Sequence, residues 1–404
     1  VDLSLIVVLV IALALFFDFT NGFHDTANAM ATPIATGAMR PKVAVALAAV
    51  LNLIGAFLST EVAKTISGGI IREGEGGVQI TPVLIFAGLV GAIVWNMVTW
   101  LFGLPSSSSH ALFGGLIGAA IVGAGIQSVD FVVVLDKVIL PAVIAPFTAG
   151  LVAYSATKLA YWITRRYDGR PDGRGGFRYG QIFSSSLVAL SHGTNDAQKT
   201  MGVITLTLIS AGFQPTGSGP EVWVVMACAL AIALGTYSGG WRIIRTLGRG
   251  LTEVKPAQGF AAETSTAATI LASSHLGFAL STTQVASGSV IGSGLGRRGS
   301  SVRWGTAGRI GIGWLLTLPS AAIVGAVAAL VADLGPIGVA IDTIVGAAVV
   351  TYIFWRARRN RVSSENAVKP VPLQGKSEVA ASGKAVKIRK VKPLKKPPQR
   401  RESA

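Results

Sequence analysis

The chain has 404 residues, 51% of them hydrophobic and only 13% charged, with a mean hydropathy of +0.58. Soluble domains carry roughly 25% charged residues, so the composition excludes a water-soluble globule and indicates an all-α polytopic membrane protein. The net charge of +16 is concentrated at one end, because residues 356–404 hold 15 of the 35 Lys/Arg and 3 of the 19 Asp/Glu.

The first apolar run, residues 5–17, follows Asp2 without a basic start, so it reads as a retained membrane helix rather than a cleaved signal. It leads into GFHDTANAM, residues 22–30, which sets His24, Asp25 and Asn28 at membrane depth. Apolar runs at 82–102 and 138–163 flank a break, GLPSSSSH, at 103–110, and a basic segment follows at 165–178. GTNDAQKTM at 193–201 then repeats the first motif with Asn195, Asp196, Gln198 and Lys199, and GFALSTTQ at 277–284 repeats the serine-rich break. The spacing also repeats: 83 residues separate Asp25 from Ser108 and 86 separate Asp196 from Thr282. Further apolar runs lie at 222–237 and 310–331, and one at 337–355 has no counterpart in the first half.

Lys/Arg clusters mark cytoplasmic loops. They fall at 40–42, 165–178, 242–255, 297–309 and the tail, whereas 61–79, 211–221 and 332–335 are acidic or nearly uncharged. The N-terminus is therefore expected outside and the C-terminus in the cytoplasm, with the two motifs running in opposite directions. This predicts two inverted-topology repeats, 1–163 and 179–355, the second including the final helix. A basic cytoplasmic linker, 164–178, joins them, and a tail at 356–404 follows. The tail is polar, contains proline and lacks apolar periodicity, so it reads as disordered chain near anionic lipid and not as a nucleic-acid binder. Interrupted helices are expected at Gly22 and Gly193 and paired re-entrant hairpins at the serine runs, with about 10–12 membrane segments at roughly 20 residues per crossing. In secondary transporters such repeats place substrate and ion sites near the midplane.

Carboxylates inside a membrane are costly and point to function. Asp25 and Asp196 hold the same place in the two motifs, and with Asn28 and backbone carbonyls they offer hard oxygen ligands for Na⁺ or a proton carrier. The serine runs suggest an anion: Ser107, Ser108 and Ser109 in one half and Ser281, Thr282 and Thr283 in the other stand where helix N-termini present N–H groups and hydroxyls. The repeat is asymmetric where His24 meets Asn195, His110 meets Gln284 and Asn28 meets Lys199. His24 and His110 are candidates for proton coupling, and Lys199 for a built-in cation or a direct partner of the anion. The single cysteine, Cys228, excludes an intrachain disulfide and a Cys-based metal cluster.

At these residues the sequence resembles the inorganic phosphate transporter family, whose members carry a G-A-N-D-V-A-N-A type signature in each inverted half and a Ser/Thr-rich hairpin motif. The resemblance implies phosphate moved in symport with Na⁺ or H⁺. It assigns Asp25, Asn28, Asn195, Asp196 and Gln198 to the ion and phosphate centre and Ser107–Ser109 and Ser281–Thr283 to phosphate. Phe23-His24 in place of Ala-Asn is similar to the bacterial low-affinity, proton-coupled members, which implies H⁺ over Na⁺ and phosphate carried with Mg²⁺ or another divalent metal. It also implies a bacterial inner-membrane importer working by alternating access, without an enzymatic cofactor, in contact with membrane lipid and forming a homodimer. Sulfate is the rival substrate, but it is fully ionised at neutral pH, whereas phosphate keeps a proton that a carboxylate accepts. A hydrolase using a serine of residues 106–109 with His110 is the rival from another class, and the second copy lacks that histidine. A channel would be excluded by gradient-driven accumulation.

Overall fold

The computed structural model describes residues 2–69, 80–164, 176–278 and 280–367, and these are almost entirely helical. Among the described residues, extended pairing is limited to one bridge between Thr252 and Val302. Most of the expected linker at 164–178, the end of the expected outer loop at 61–79 and the tail beyond residue 367 lie outside them.

The first half comprises α1 (Leu3–Ala35), α2 (Pro41–Gly55), α3 (Glu61–Gly69), α4 (Pro82–Leu101) and α5 (Ser108–Ala124). It ends in a rod, Phe131–Thr164, in which α6 (Phe131–Val134), a π turn (Leu135–Ile139) and α7 (Leu140–Thr164) follow without a gap. The second half comprises α8 (Gly176–Ser210), α9 (Val222–Ser238), α10 (Trp241–Arg245) with a π turn (Thr246–Gly250), α11 (Pro256–His275), α12 (Thr282–Gly296) and α13 (Trp304–Ala332). A last helix, α14 (Pro336–Arg359), overruns the expected start of the tail at residue 356. Arg356, Arg358 and Arg359 occupy its last turn, where cations meet the negative end of the helix dipole.

The packing exchanges partners between halves. Helix α1 packs on α9 as α8 packs on α2, α4 on α5 as α11 on α12, and α5 on α13 as α12 on α7. Each serine-headed helix is thus held against the long closing helix of the opposite half, with α1 and α8 in mutual contact.

Among the described residues, α1, α4, the Phe131–Thr164 rod, α13 and α14 are long and apolar enough to cross a bilayer, and α9 with the bent α10 segment adds a sixth span. The expected count of about 10–12 segments is reached only by including shorter or more polar helices. Helices α2, α5 and α12 have 15, 17 and 15 residues. Helices α8 and α11, at 35 and 20 residues, are long but polar. Helix α8 tolerates this because its second half faces protein rather than lipid: residues 191–208 are buried without interruption, as are residues 20–34 of α1.

The expected interruptions at Gly22 and Gly193 do not occur. Helices α1 and α8 run unbroken through both motifs. Glycine serves close approach instead, since a Cβ on Gly22 would stand 2.4 Å from the carbonyl oxygen of Ile232 in α9, and one on Gly193 2.2 Å from that of Asn52 in α2. The polar groups of the motifs are therefore presented from helix faces, and no freed carbonyls from unwound turns join them.

Helix pairs meet at both serine runs, α4 with α5 and α11 with α12. Each turns on a glycine with positive φ, Gly103 at 64° and Gly277 at 72°, a conformation that costs glycine little. Each second helix starts with a serine cap: Ser107 Oγ accepts from the His110 N–H at 3.1 Å and Ser281 Oγ from the Gln284 N–H at 3.3 Å. The two tips touch, with Ser109 Oγ donating to the Leu280 carbonyl at 3.3 Å.

Candidate functional site

The buried motif of α1 faces the tips of both helix pairs. The Asp25 carboxylate accepts from Ser108 Oγ at 3.1 Å, Thr283 Oγ1 at 3.1 Å and Thr282 Oγ1 at 3.3 Å. His24 Nδ1 lies 2.6 Å from Asp25 Oδ1, and its Nε2 lies 3.3 Å from Ser106 Oγ, which itself donates to Thr99 Oγ1 at 2.7 Å. One turn after Asp25, Asn28 Nδ2 donates to Thr283 Oγ1 at 3.0 Å and Thr282 Oγ1 at 3.3 Å. The spacing of three residues puts Asp25 and Asn28 on one face, as an α-helix requires.

Helix α8 supplies the other side. Asp196 Oδ2 accepts from Thr282 Oγ1 at 3.0 Å and lies 2.8 Å from His192 Nε2, one turn earlier. That same imidazole nitrogen is 3.9 Å from Asp25 Oδ2, so His192 stands between the two carboxylates, with its Nδ1 3.2 Å from Asn52 Oδ1. Lys199 pairs with Asp196 and donates to Ser109 Oγ at 2.6 Å and to the Leu280 carbonyl at 2.9 Å.

These groups are all buried. Two carboxylates face one ammonium, so with both imidazoles neutral the cluster is one positive charge short. An uncompensated buried charge costs several kcal/mol, on the order of 3–5 when a partner is removed. A proton on an imidazole or a bound cation cancels that deficit. Asp25, His192 and Asp196 each offer one ligand atom, all within 4.8 Å of one another. Two oxygens and one imidazole nitrogen suit Mn²⁺ or Zn²⁺ directly, and Mg²⁺ with water completing its shell.

The structure thus brings together His24, Asp25, Asn28, Asp196, Lys199, Ser108, Ser109, Thr282 and Thr283. It places the remaining expected residues around this centre. Ser107 and Ser281 cap their own helices. His110 Nδ1 lies 3.5 Å from Gln284 Nε2, so the two corresponding positions meet each other rather than a carboxylate. Asn195 Nδ2 donates to Ser274 Oγ at 2.9 Å, at the end of α11. Gln198 Oε1 accepts from the Val62 N–H at 2.8 Å and the Ala63 N–H at 3.3 Å, which anchors the start of α3.

Two buried groups go beyond the sequence reading. His192 has less claim in the sequence because its counterpart in the first motif is Asn21; its distance of four residues from Asp196 is the signal that places it. Glu263 of α11 accepts from Ser184 Oγ at 2.6 Å, from Gln181 Nε2 at 3.2 Å and from the Thr32 hydroxyl, tying α11 to α8 and α1.

Membrane-crossing helices packed around a buried polar centre, to which two related motifs each bring a carboxylate, define a membrane transporter. The chain belongs to the phosphate transporter family, whose profile matches residues 21–325. It is 60% identical to a probable low-affinity inorganic phosphate transporter of Mycobacterium tuberculosis over 80% of this chain and 76% of that one. A protein of the same description from Mycobacterium leprae is 56% identical over 91% of this chain and 88% of its own length. The fold is similar to that of a solved sodium-dependent phosphate transporter, with a TM-score of 0.71 at 24% identity, covering 82% of this chain and 99% of the other. By family the chain is a membrane-embedded phosphate transporter and not an enzyme.

Proposed function

We propose that the protein imports inorganic phosphate across a bacterial inner membrane by cation symport, with H⁺ favoured over Na⁺ and a divalent metal such as Mg²⁺ accompanying phosphate, by alternating access between two inverted repeats. The N-terminus lies outside and the C-terminus in the cytoplasm. One observation carries the reading: the hydroxyls of Ser108, Thr282 and Thr283, from both serine-rich tips, all donate to the carboxylates of Asp25 and Asp196. These hydroxyls and the two helix N-termini are the donors that suit a tetrahedral oxyanion. Phosphate must take them from the carboxylates, and two bare carboxylates would repel it.

Cation binding resolves this conflict. A metal at Asp25, His192 and Asp196, or protons on His24 and His192, neutralises the carboxylates and frees the hydroxyls to turn toward phosphate. Cation and phosphate then bind together, which is what symport needs. Direct contact of both imidazoles with the carboxylates supports protons over Na⁺, because each sets a proton-accepting nitrogen rather than a further oxygen ligand beside a carboxylate. Lys199 supplies the fixed positive charge of the second half.

The test is uptake of labelled phosphate into liposomes holding the purified protein, under a proton gradient alone and a Na⁺ gradient alone, each with and without Mg²⁺ and with sulfate as competitor. Proton-driven accumulation that Mg²⁺ enhances and sulfate leaves intact is expected. Accumulation under Na⁺ alone would overturn the coupling reading, and none under any gradient would overturn import.

A further inference from the structure

Asp18 lies on α1 seven residues before Asp25, two helical turns and about 10 Å along the axis. Its side chain is 0% exposed, and among the described residues neither carboxylate oxygen has a hydrogen-bond partner of good geometry. Beside it stands the buried hydroxyl of Thr200 on α8, and the Cys228 thiol of α9 lies within its field. The charged groups facing it are His192, Asp196 and Lys199 of α8. Helix α4, which also packs on α1, has no titratable side chain. An ionised carboxylate enclosed this way, with one hydroxyl beside it and no cation paired with it, is among the least favourable groups a membrane interior can hold. As a neutral acid it shares a hydrogen bond with the Thr200 hydroxyl without burying a charge.

We propose that Asp18 is a second cation-binding site of this protein, separate from the Asp25–His192–Asp196 cluster, and that the cation it carries is a coupling proton additional to those of that cluster. The inference rests on the proton-symport reading above. A proton entering from the side of the α1 N-terminus converts the Asp18 carboxylate to the acid before phosphate settles at the serine tips. It leaves when the centre opens to the other side. Neutralising one charge about 10 Å from phosphate, at an effective dielectric of about 20, raises phosphate affinity roughly 10- to 20-fold, and by linkage phosphate strengthens proton binding by the same factor.

The experiment compares wild type, Asp18→Asn and Asp18→Glu in liposomes. It measures phosphate accumulation under a proton gradient and phosphate exchange without a gradient as pH is varied. Asp18→Asn, which mimics the neutral acid, is expected to exchange phosphate independently of pH and to lose proton-driven accumulation at least tenfold. Asp18→Glu is expected to keep a gradient response. Continued exchange by Asp18→Asn shows that it is folded. Wild-type accumulation that ignores the proton gradient would overturn the coupling reading and this inference with it. Proton-driven wild type together with an Asp18→Asn variant that still accumulates and still responds to pH would overturn the role of Asp18 alone, and so would a monodisperse Asp18→Asn variant without exchange.

Discussion

Lys199 Nζ on α8 donates to Ser109 Oγ at the tip of α5 over 2.6 Å, and at the corresponding positions Asn28 Nδ2 on α1 donates to Thr283 Oγ1 at the tip of α12 over 3.0 Å. Each motif helix thus holds the serine tip of the opposite half. The two links differ in charge, because Lys199 also neutralises Asp196.

Removing that charge leaves Asp196 buried without its ammonium, with only the His192 imidazole and the Thr282 hydroxyl beside it. Lys199→Met is expected to lower stability by about 3–5 kcal/mol, the usual cost of breaking a buried pair from one side. Thermal unfolding of the detergent-solubilised protein reads this. Phosphate uptake should fall with it, whereas Lys199→Arg should keep most of the stability.

His192 stands between Asp25 and Asp196, so it is the residue through which metal dependence should act. His192→Asn is expected to weaken stimulation of uptake by Mn²⁺ or Mg²⁺ at least tenfold, the scale on which loss of supporting groups weakens metal sites. The check is a metal titration of uptake rates, and unchanged stimulation would remove His192 from the ion site.

Glu263 is held by hydroxyls from α1 and α8 and an amide from α8. Glu263→Gln keeps the volume but replaces one acceptor by a donor, which leaves a buried hydroxyl facing an N–H group. A loss of about 1–3 kcal/mol is expected, the cost of an unsatisfied buried polar group. Ser184→Ala combined with Glu263→Gln should cost less than the sum of the two single changes.

Gly193 marks the close contact of α8 with α2. Gly193→Ala puts a methyl 2.2 Å from the Asn52 carbonyl oxygen, so the helices must part, at a cost of about 1–3 kcal/mol. Gly305→Ala, where nothing lies within 4 Å, is expected to be neutral or stabilising. Melting temperatures of the two variants compare these sites directly.

The centre was legible because the chain writes it twice. Asp25 and Asp196 share a position and a spacing to the serine runs, and the structure places both carboxylates on Thr282. What was not legible is what occurs once. His192 corresponds to Asn21 and Glu263 to Leu89, so neither appears in the repeat. Gly22 and Gly193 were misread for another reason: a glycine that unwinds a helix and one that admits a neighbouring backbone leave the same letter in a sequence, and only the position of α9 or α2 decides between them. The paired helix starts were readable from Ser107 and Ser281, because a serine before an apolar helical run is a local capping signal that needs no tertiary context.

The measurement that bears most directly on the phosphate and cation centre is proton-driven accumulation of labelled phosphate by Asp25→Asn beside wild type in the same liposomes. The substitution keeps the size of the side chain but removes the charge that binds the cation and halves the acceptors for Ser108, Thr282 and Thr283. The account predicts that wild type concentrates phosphate and Asp25→Asn does not, although the variant remains folded. Normal concentrative uptake by Asp25→Asn would contradict it.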